Sequence, residues 1–136
     1  MGAAAIGDKG IAALEFALLF PLLLAIILSI YDIGRAVHFN IRLAEAARLG
    51  AEYGLRAPSD DAGVANTVMN TLPGWTGVTV DPVERSCVCP GSGPALCSSS
   101  CPVPMTRYLK VRVSKPLERL LIGPSTATGE TTVRLR

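Results

Sequence analysis

The sequence predicts an α+β protein. A long N-terminal transmembrane helix continues into a small globular head, which adds one further helix and a three- to four-stranded antiparallel sheet. Three observations carry this. Residues Ile11–Tyr31 (IAALEFALLFPLLLAIILSIY) hold a single charge, Glu15. Beyond them Ile33, Val37, Ile41, Ala44, Arg48, Ala51 and Leu55 keep a 3–4 residue spacing, apolar except for Arg48, as an amphipathic helix does. Later, Leu109, Val111 and Val113 alternate with Tyr108, Lys110, Arg112 and Ser114, and Thr131, Val133 and Leu135 repeat the period of a strand. The 136 residues are 49% hydrophobic and 18% charged, too apolar for a disordered chain and high for a soluble domain. The expected organisation is a leader over 1–10, a span over 11–31, an amphipathic extension over 32–57 and an extracytoplasmic head over 58–136.

Twenty-one residues from Ile11 to Tyr31 make a helix of about 31 Å, the thickness of a hydrocarbon core. The run is too long for the apolar region of a cleaved secretory signal, and no small-residue exit site follows it. Pro21 removes one helical hydrogen bond, which spanning helices tolerate. Glu15 is the costly residue, at about 2.5–3.5 kcal/mol near a bilayer centre and less near an interface. It either snorkels to water or pairs with a cation. A cut after Gly10 would supply that cation, because the new α-amine at Ile11 lies one helical turn from Glu15.

The helix continues past the span until Gly54 and Pro58, and Ala47, Gly50, Ala51 and Gly54 form a cluster of small residues near its end. Small residues let a partner backbone or sheet approach closely, whereas glycines at a helix end otherwise fray it. Ala57–Asp61 is a turn in which Ser59 is placed to cap a helix, with Asp60 and Asp61 at its positive end. Val64, Val68 and Leu72 recur every four residues until Pro73-Gly74 stops that helix. Val78 and Val80 open a short strand directed through Val83 toward Cys87, and Pro116–Ile122 reads equally as a helical turn or an apolar loop.

Cys87, Cys89, Cys97 and Cys101 lie in a segment rich in Pro, Gly and Ser. Their spacing is not the paired C-x-x-C of zinc knuckles, and behind a membrane anchor two disulfides are the better reading than a metal site. Cys87 and Cys89 share one face of a strand, so each reaches across to Cys97 or Cys101. Nested pairing (87–101, 89–97) and crossed pairing (87–97, 89–101) both stay open. Such staples suit a head too small for a large core.

Several function classes fall away. A formal charge of +2 does not suggest a nucleic-acid binder. His38, the one histidine, reads as an interfacial or packing residue, with no nucleophile evidently beside it. Gly91-Ser92-Gly93 lacks the strand-to-helix context of a phosphate loop. Trp75 reads as a loop side chain folded onto the core. Lys110, Arg112, Lys115, Arg134 and Arg136 read as a solvated sheet face. No catalytic residue, cofactor or metal site is expected.

Gly10 followed by Ile-Ala-Ala-Leu-Glu-Phe resembles the processing site of type IV pilin-like proteins. The longer run from Gly10 to Gly54 resembles the TadE-like family, minor pilins or pseudopilins of the tight-adherence (Tad, Flp) pilus system. The matched features are Glu15-Phe16-Ala17, Pro21, Asp32-x-x-Arg35 and Ala46-Ala47-Arg48-x-Gly50-Ala51, with a Cys-x-Cys and later cysteine pair downstream. Two features depart from the family pattern: the leader offers only Lys9, beside Asp8, and Glu52 stands where relatives carry a second Arg. The resemblance implies a pilin-like fold, cleavage by a prepilin peptidase between Gly10 and Ile11, and a subunit-pairing role for Glu15. It also implies partners: other minor pilins, the major pilin, an inner-membrane assembly platform and the lipid bilayer, with no nucleic acid. Lys9 before the span and Arg35 and Arg42 after it leave the charge rule for orientation undecided, so the cysteines and the resemblance place the head outside. The other readings are an anchored binding module outside any fibre, and a cysteine-dependent redox or zinc-binding membrane protein.

Overall fold

A computed structural model describes residues 9–101 and 103–135, with side chains from Ala13 onward. The expected leader lies outside the described residues except for Lys9 and Gly10. Those two open α1 (Lys9–Arg56), a helix of 48 residues that runs through Pro21. At 1.5 Å per residue it is about 72 Å long, more than twice the thickness of a hydrocarbon core. Its upper half carries the head: α2 (Asp61–Asn70), then strands β1 (Thr79–Val80), β2 (Glu84–Cys89), β3 (Gly93–Ala95), β4 (Thr106–Pro116) and β5 (Thr126–Leu135).

All pairings in the sheet are antiparallel. β5 pairs with β4 from Arg107↔Leu135 to Pro116↔Thr126, filling one edge of β4 along its length. The other edge takes both β1 (Val80↔Val113) and β2 (Glu84↔Lys110). Between those pairs Asp81, Pro82 and Val83 face Val111 and Arg112, three residues against two. β1 and β2 are therefore one edge strand broken by a bulge, and Pro82, with no N–H to donate, sits where the ladder is interrupted. The expected run from Val78 toward Cys87 is this interrupted strand. Geometrically the sheet has four rows, β5, β4, β1 with β2, and β3.

β4 is the central strand. Leu109, Val111 and Val113 are fully buried, facing Leu43, Ala46, Ala47 and Ala51 of α1, Val64 and Val68 of α2, and Leu72. Trp75 folds onto this core, its ring edge-on to Phe39 at 4.8 Å between centroids. β5 begins at Thr126, five residues before the alternation at Thr131, because its first half, TATGE, has no large apolar residue to mark a strand. Pro116–Ile122 resolves as the end of β4 and a loop.

One expectation is corrected. The cap of α2 is Asp60, whose Oδ1 accepts the Gly63 N–H at 2.9 Å while Oδ2 accepts the Tyr53 hydroxyl at 2.7 Å. A carboxylate there meets the positive helix end and reaches α1 as well, which the Ser59 hydroxyl, one residue earlier, does not. The head covers the small-residue face of α1, where Ala47, Gly50, Ala51 and Gly54 let the sheet approach closely. Ile33, Val37, Ile41 and Leu55 are 46–62% exposed, and the buried face is Ala36, Leu43, Ala46, Ala47, Gly50, Ala51 and Gly54. At 100° per residue the two faces lie roughly a third of a turn apart. The periodicity of large apolar residues marked the uncovered face, because the sheet seats on small ones.

The closest seating is at Gly129 of β5. A Cβ there would drive into the backbone of Leu43 and Ala44, and next to it the Thr128 N–H donates to Asn40 Oδ1 at 2.9 Å. Gly129→Ala should therefore lower the unfolding free energy by about 3 kcal/mol, since backbone cannot rotate aside as a side chain would. Gly34→Ala is the control: nothing lies within 4 Å of its added Cβ, so the change should be neutral or stabilising by up to about 1 kcal/mol. Denaturant unfolding in a fixed micelle, followed by Trp75 fluorescence, measures both.

Candidate functional site

The functional surface is built on α1. Its most apolar 18-residue window has a mean hydropathy of 2.5 and none of it is buried, so the helix is long and apolar enough to cross a membrane. The backbone of Gly10 and Ile11 lies in its first turns, and the Ile11 side chain lies outside the described residues. Glu15 is exposed on the helix surface. Phe16, one residue on, is 61% exposed and tilts against Phe20 at 6.1 Å between centroids.

Among the described residues of the apolar run, every large side chain except the half-buried Leu28 is exposed. The apolar exposure does not stop with the span. Ile26, Ile30, Ile33, Val37 and Ile41 follow one another by 3–4 residues, all 48–65% exposed. Ile41 stands ten residues past Tyr31, about 15 Å along the axis. The stripe ends at Arg48, whose Nε donates to Glu52 at 3.1 Å.

Ala47, Gly50, Ala51 and Gly54 lie on a different face, toward the protein's own head. A Cβ on Gly50 would come within 2.5 Å of Val68 Cγ2, and one on Gly54 within 3.1 Å of Leu109 Cδ2. The partners these small residues admit are α2 and β4 of the same chain.

Sequence reasoning placed Asp32 in a family motif but missed what it does. It follows the span directly and is only 6% exposed. Its Oδ2 accepts the backbone N–H of Leu121 at 2.7 Å, Leu120 at 3.0 Å and Ile122 at 3.2 Å, and Oδ1 accepts Leu120 as well. A carboxylate thus gathers three successive amides of the loop between β4 and β5, across nearly ninety residues of sequence. The Leu121 N–H first of all, then those of Leu120 and Ile122 and the charge of Arg35, hold its carboxyl below the ordinary value of 3.8, against the opposing effect of burial. The run PLERLLI holds the only sequence signal, a set of consecutive amides without a committed secondary structure.

The disulfides are the crossed pair, Cys87–Cys97 and Cys89–Cys101, with Cα separations of 5.1 and 5.8 Å. Cys87 and Cys89 are both buried on one face of β2. Among the described residues no group of three or more His, Cys, Asp or Glu is arranged to hold a metal ion. His38 is exposed and lies edge-on to Phe39. On the outer sheet face Lys110 and Arg112 both pair with Glu130, at 3.2 and 2.9 Å, which partly neutralises the basic face expected there. Arg85 ties β2 to the α1–α2 turn through the Pro58 carbonyl and Asp61.

Asp32→Asn should release the β4–β5 loop. Trypsin cleavage after Arg119, at the clasped segment, should rise roughly tenfold, the weight of one charge-assisted hydrogen bond in a locally opening loop. Because the native carboxyl titrates below 3.8, its stabilisation is complete above that pH and is lost as the pH falls through the lowered native value. The difference between wild type and Asp32→Asn should accordingly shrink at acid pH, read with an acid-active protease.

Residues 10–52 match the family described as TadE-like protein. No curated protein and no solved structure matches the chain. The matched residues contain the whole span, Glu15, Asp32 and the stripe from Ile26 to Ile41, so the features that set this helix apart fall inside the match. Over residues 10–52, then, the chain is similar to TadE-like proteins.

Proposed function

We propose that this protein is a minor pilin, or pseudopilin, of a Tad (Flp) type IV pilus system, with a structural and not a catalytic role. Residues 11–31 anchor it in the bacterial inner membrane, and the disulfide-bonded head stands in the periplasm or outside. A prepilin peptidase cuts between Gly10 and Ile11. The mature helix then packs beside other minor pilins and the major pilin, supporting assembly and through it surface adherence.

One observation supports this reading above the others: the apolar stripe of α1 continues past the span to Ile41 while the head packs on a different face. A plain anchor needs apolar surface only as far as the lipid. An extra 15 Å or so of uncovered Ile and Val has a use when neighbouring helices cover it. Disulfides in the head agree with an extracytoplasmic position. Glu15 stays in the apolar bundle because the α-amine of a neighbour's Ile11 neutralises it.

Ile41→Glu separates this from an anchored binding module that stands alone. Ile41 is 62% exposed, so the change should leave the head's stability within about 0.5 kcal/mol. Cross-linking to neighbouring pilins and the count of pili should fall sharply. Normal pili carrying this variant would refute assembly through the stripe.

Glu15→Gln tests the pairing. Mass spectrometry should still find Ile11 as the mature N-terminus, and membrane insertion should be unchanged or easier. Co-purification with partner pilins should be lost. Wild-type co-purification by a correctly cleaved variant would make Glu15 a passive interfacial carboxylate.

A further inference from the structure

We propose that the loop between β4 and β5 is a second membrane contact, a foot that lays Leu120, Leu121 and Ile122 into the interface of the bilayer that holds α1. The inference rests on α1 being a membrane anchor.

The register of the head along α1 places the loop. Gly129 abuts Leu43 and Ala44, Thr128 binds Asn40, and Leu120–Ile122 bind Asp32. Each step back along the chain from β5 meets an earlier residue of α1, so the chain descends toward the span. From Leu43 to Asp32 the helix drops about 16 Å. Asp32 adjoins Tyr31, the last residue of the apolar run, so the loop it clasps lies level with the membrane surface.

The loop's chemistry suits that level. Leu120, Leu121 and Ile122 are 57%, 51% and 48% exposed, three consecutive large apolar side chains each about half open to the surroundings. Peptide N–H groups entering an interface cost free energy unless they are bonded, and here Asp32 accepts all three. Arg35 lies 5.6 Å from the Tyr31 ring centroid, an aromatic and a cation at headgroup height. The foot is on the Asp32 side of α1, so it leaves the Ile30–Ile41 stripe free for neighbours. With one helix alone the head would swivel about the span; a second contact fixes which way the stripe points.

The test uses the full chain, one copy per nanodisc of phosphatidylcholine and phosphatidylglycerol, with Trp75 kept as common background. Leu121→Trp reads the foot, Phe20→Trp the span, and Leu96→Trp, 77% exposed in the disulfide loop, the solvent side of the head. Emission is compared in discs with and without bromine midway along the acyl chains. Added quenching should be largest at position 20, clear at 121 and near zero at 96. Asp32→Asn should reduce it at 121 and leave it unchanged at 20. If 121 behaves as 96 while 20 is quenched, the anchor stands and the foot is wrong. If 20 is also unquenched, the anchor reading fails and the foot falls with it. Shielding at 121 that arises only when two chains share a disc would assign the loop to a neighbouring chain and overturn the proposal.

Discussion

The head of this protein depends on how closely a strand can lie on a helix. At Gly129 the backbone of β5 meets the backbone of α1 at Leu43 and Ala44, leaving no room for a Cβ. That contact sets the height of the sheet over the helix, and every neighbouring position obeys it. Ala46, Ala47, Gly50, Ala51 and Gly54 are small because the gap they fill is narrow, and Leu109, Val111 and Val113 supply the apolar volume from the strand side. Close packing of this kind gains many dispersion contacts, and a single added methyl group would be felt across the interface.

Seating the head on small residues has a consequence for the helix. α1 has enough circumference for one face under the sheet and another left apolar, and its large β-branched residues lie on the second. Along the apolar run before Tyr31 the distinction vanishes, since the side chains are apolar all round. Beyond Tyr31 it divides the helix into a face for the chain's own head and a face for something else. Asp32 stands just past the end of the apolar run. Its carboxylate joins the last part of the head to the first turn above the span, so the two halves of the molecule are hydrogen-bonded as well as connected by chain.

The outer parts of the head are held by other means. The far edge of the sheet is short and rich in Pro, Gly and Ser, with little apolar surface to bury, and there Cys87–Cys97 and Cys89–Cys101 replace a core. Arg85 and Asp60 serve the α1–α2 turn, one bonding its carbonyl and the other capping α2 while holding Tyr53. These polar ties sit where water reaches, and the apolar seam under β4 and β5 remains dry.

By itself the sequence determined what depends on local pattern. The length of the apolar run, the alternation in β4, the four-residue repeat of α2 and the cysteine cluster are properties of neighbours along the chain, legible without coordinates. It also held the helix from the span to Arg56, because nothing before Gly54 breaks it strongly. Tertiary structure decided what depends on distant partners. It chose the face of α1 that the head covers, which large-residue periodicity does not mark because alanine and glycine carry little hydrophobic signal. It extended β5 back to Thr126, where pairing with β4 overrides a weak local preference. It selected the crossed disulfides from two pairings that spacing alone allowed. And it brought Asp32 to the amides of Leu120, Leu121 and Ile122, since a carboxylate in a sequence does not say which backbone, almost ninety residues away, will satisfy it.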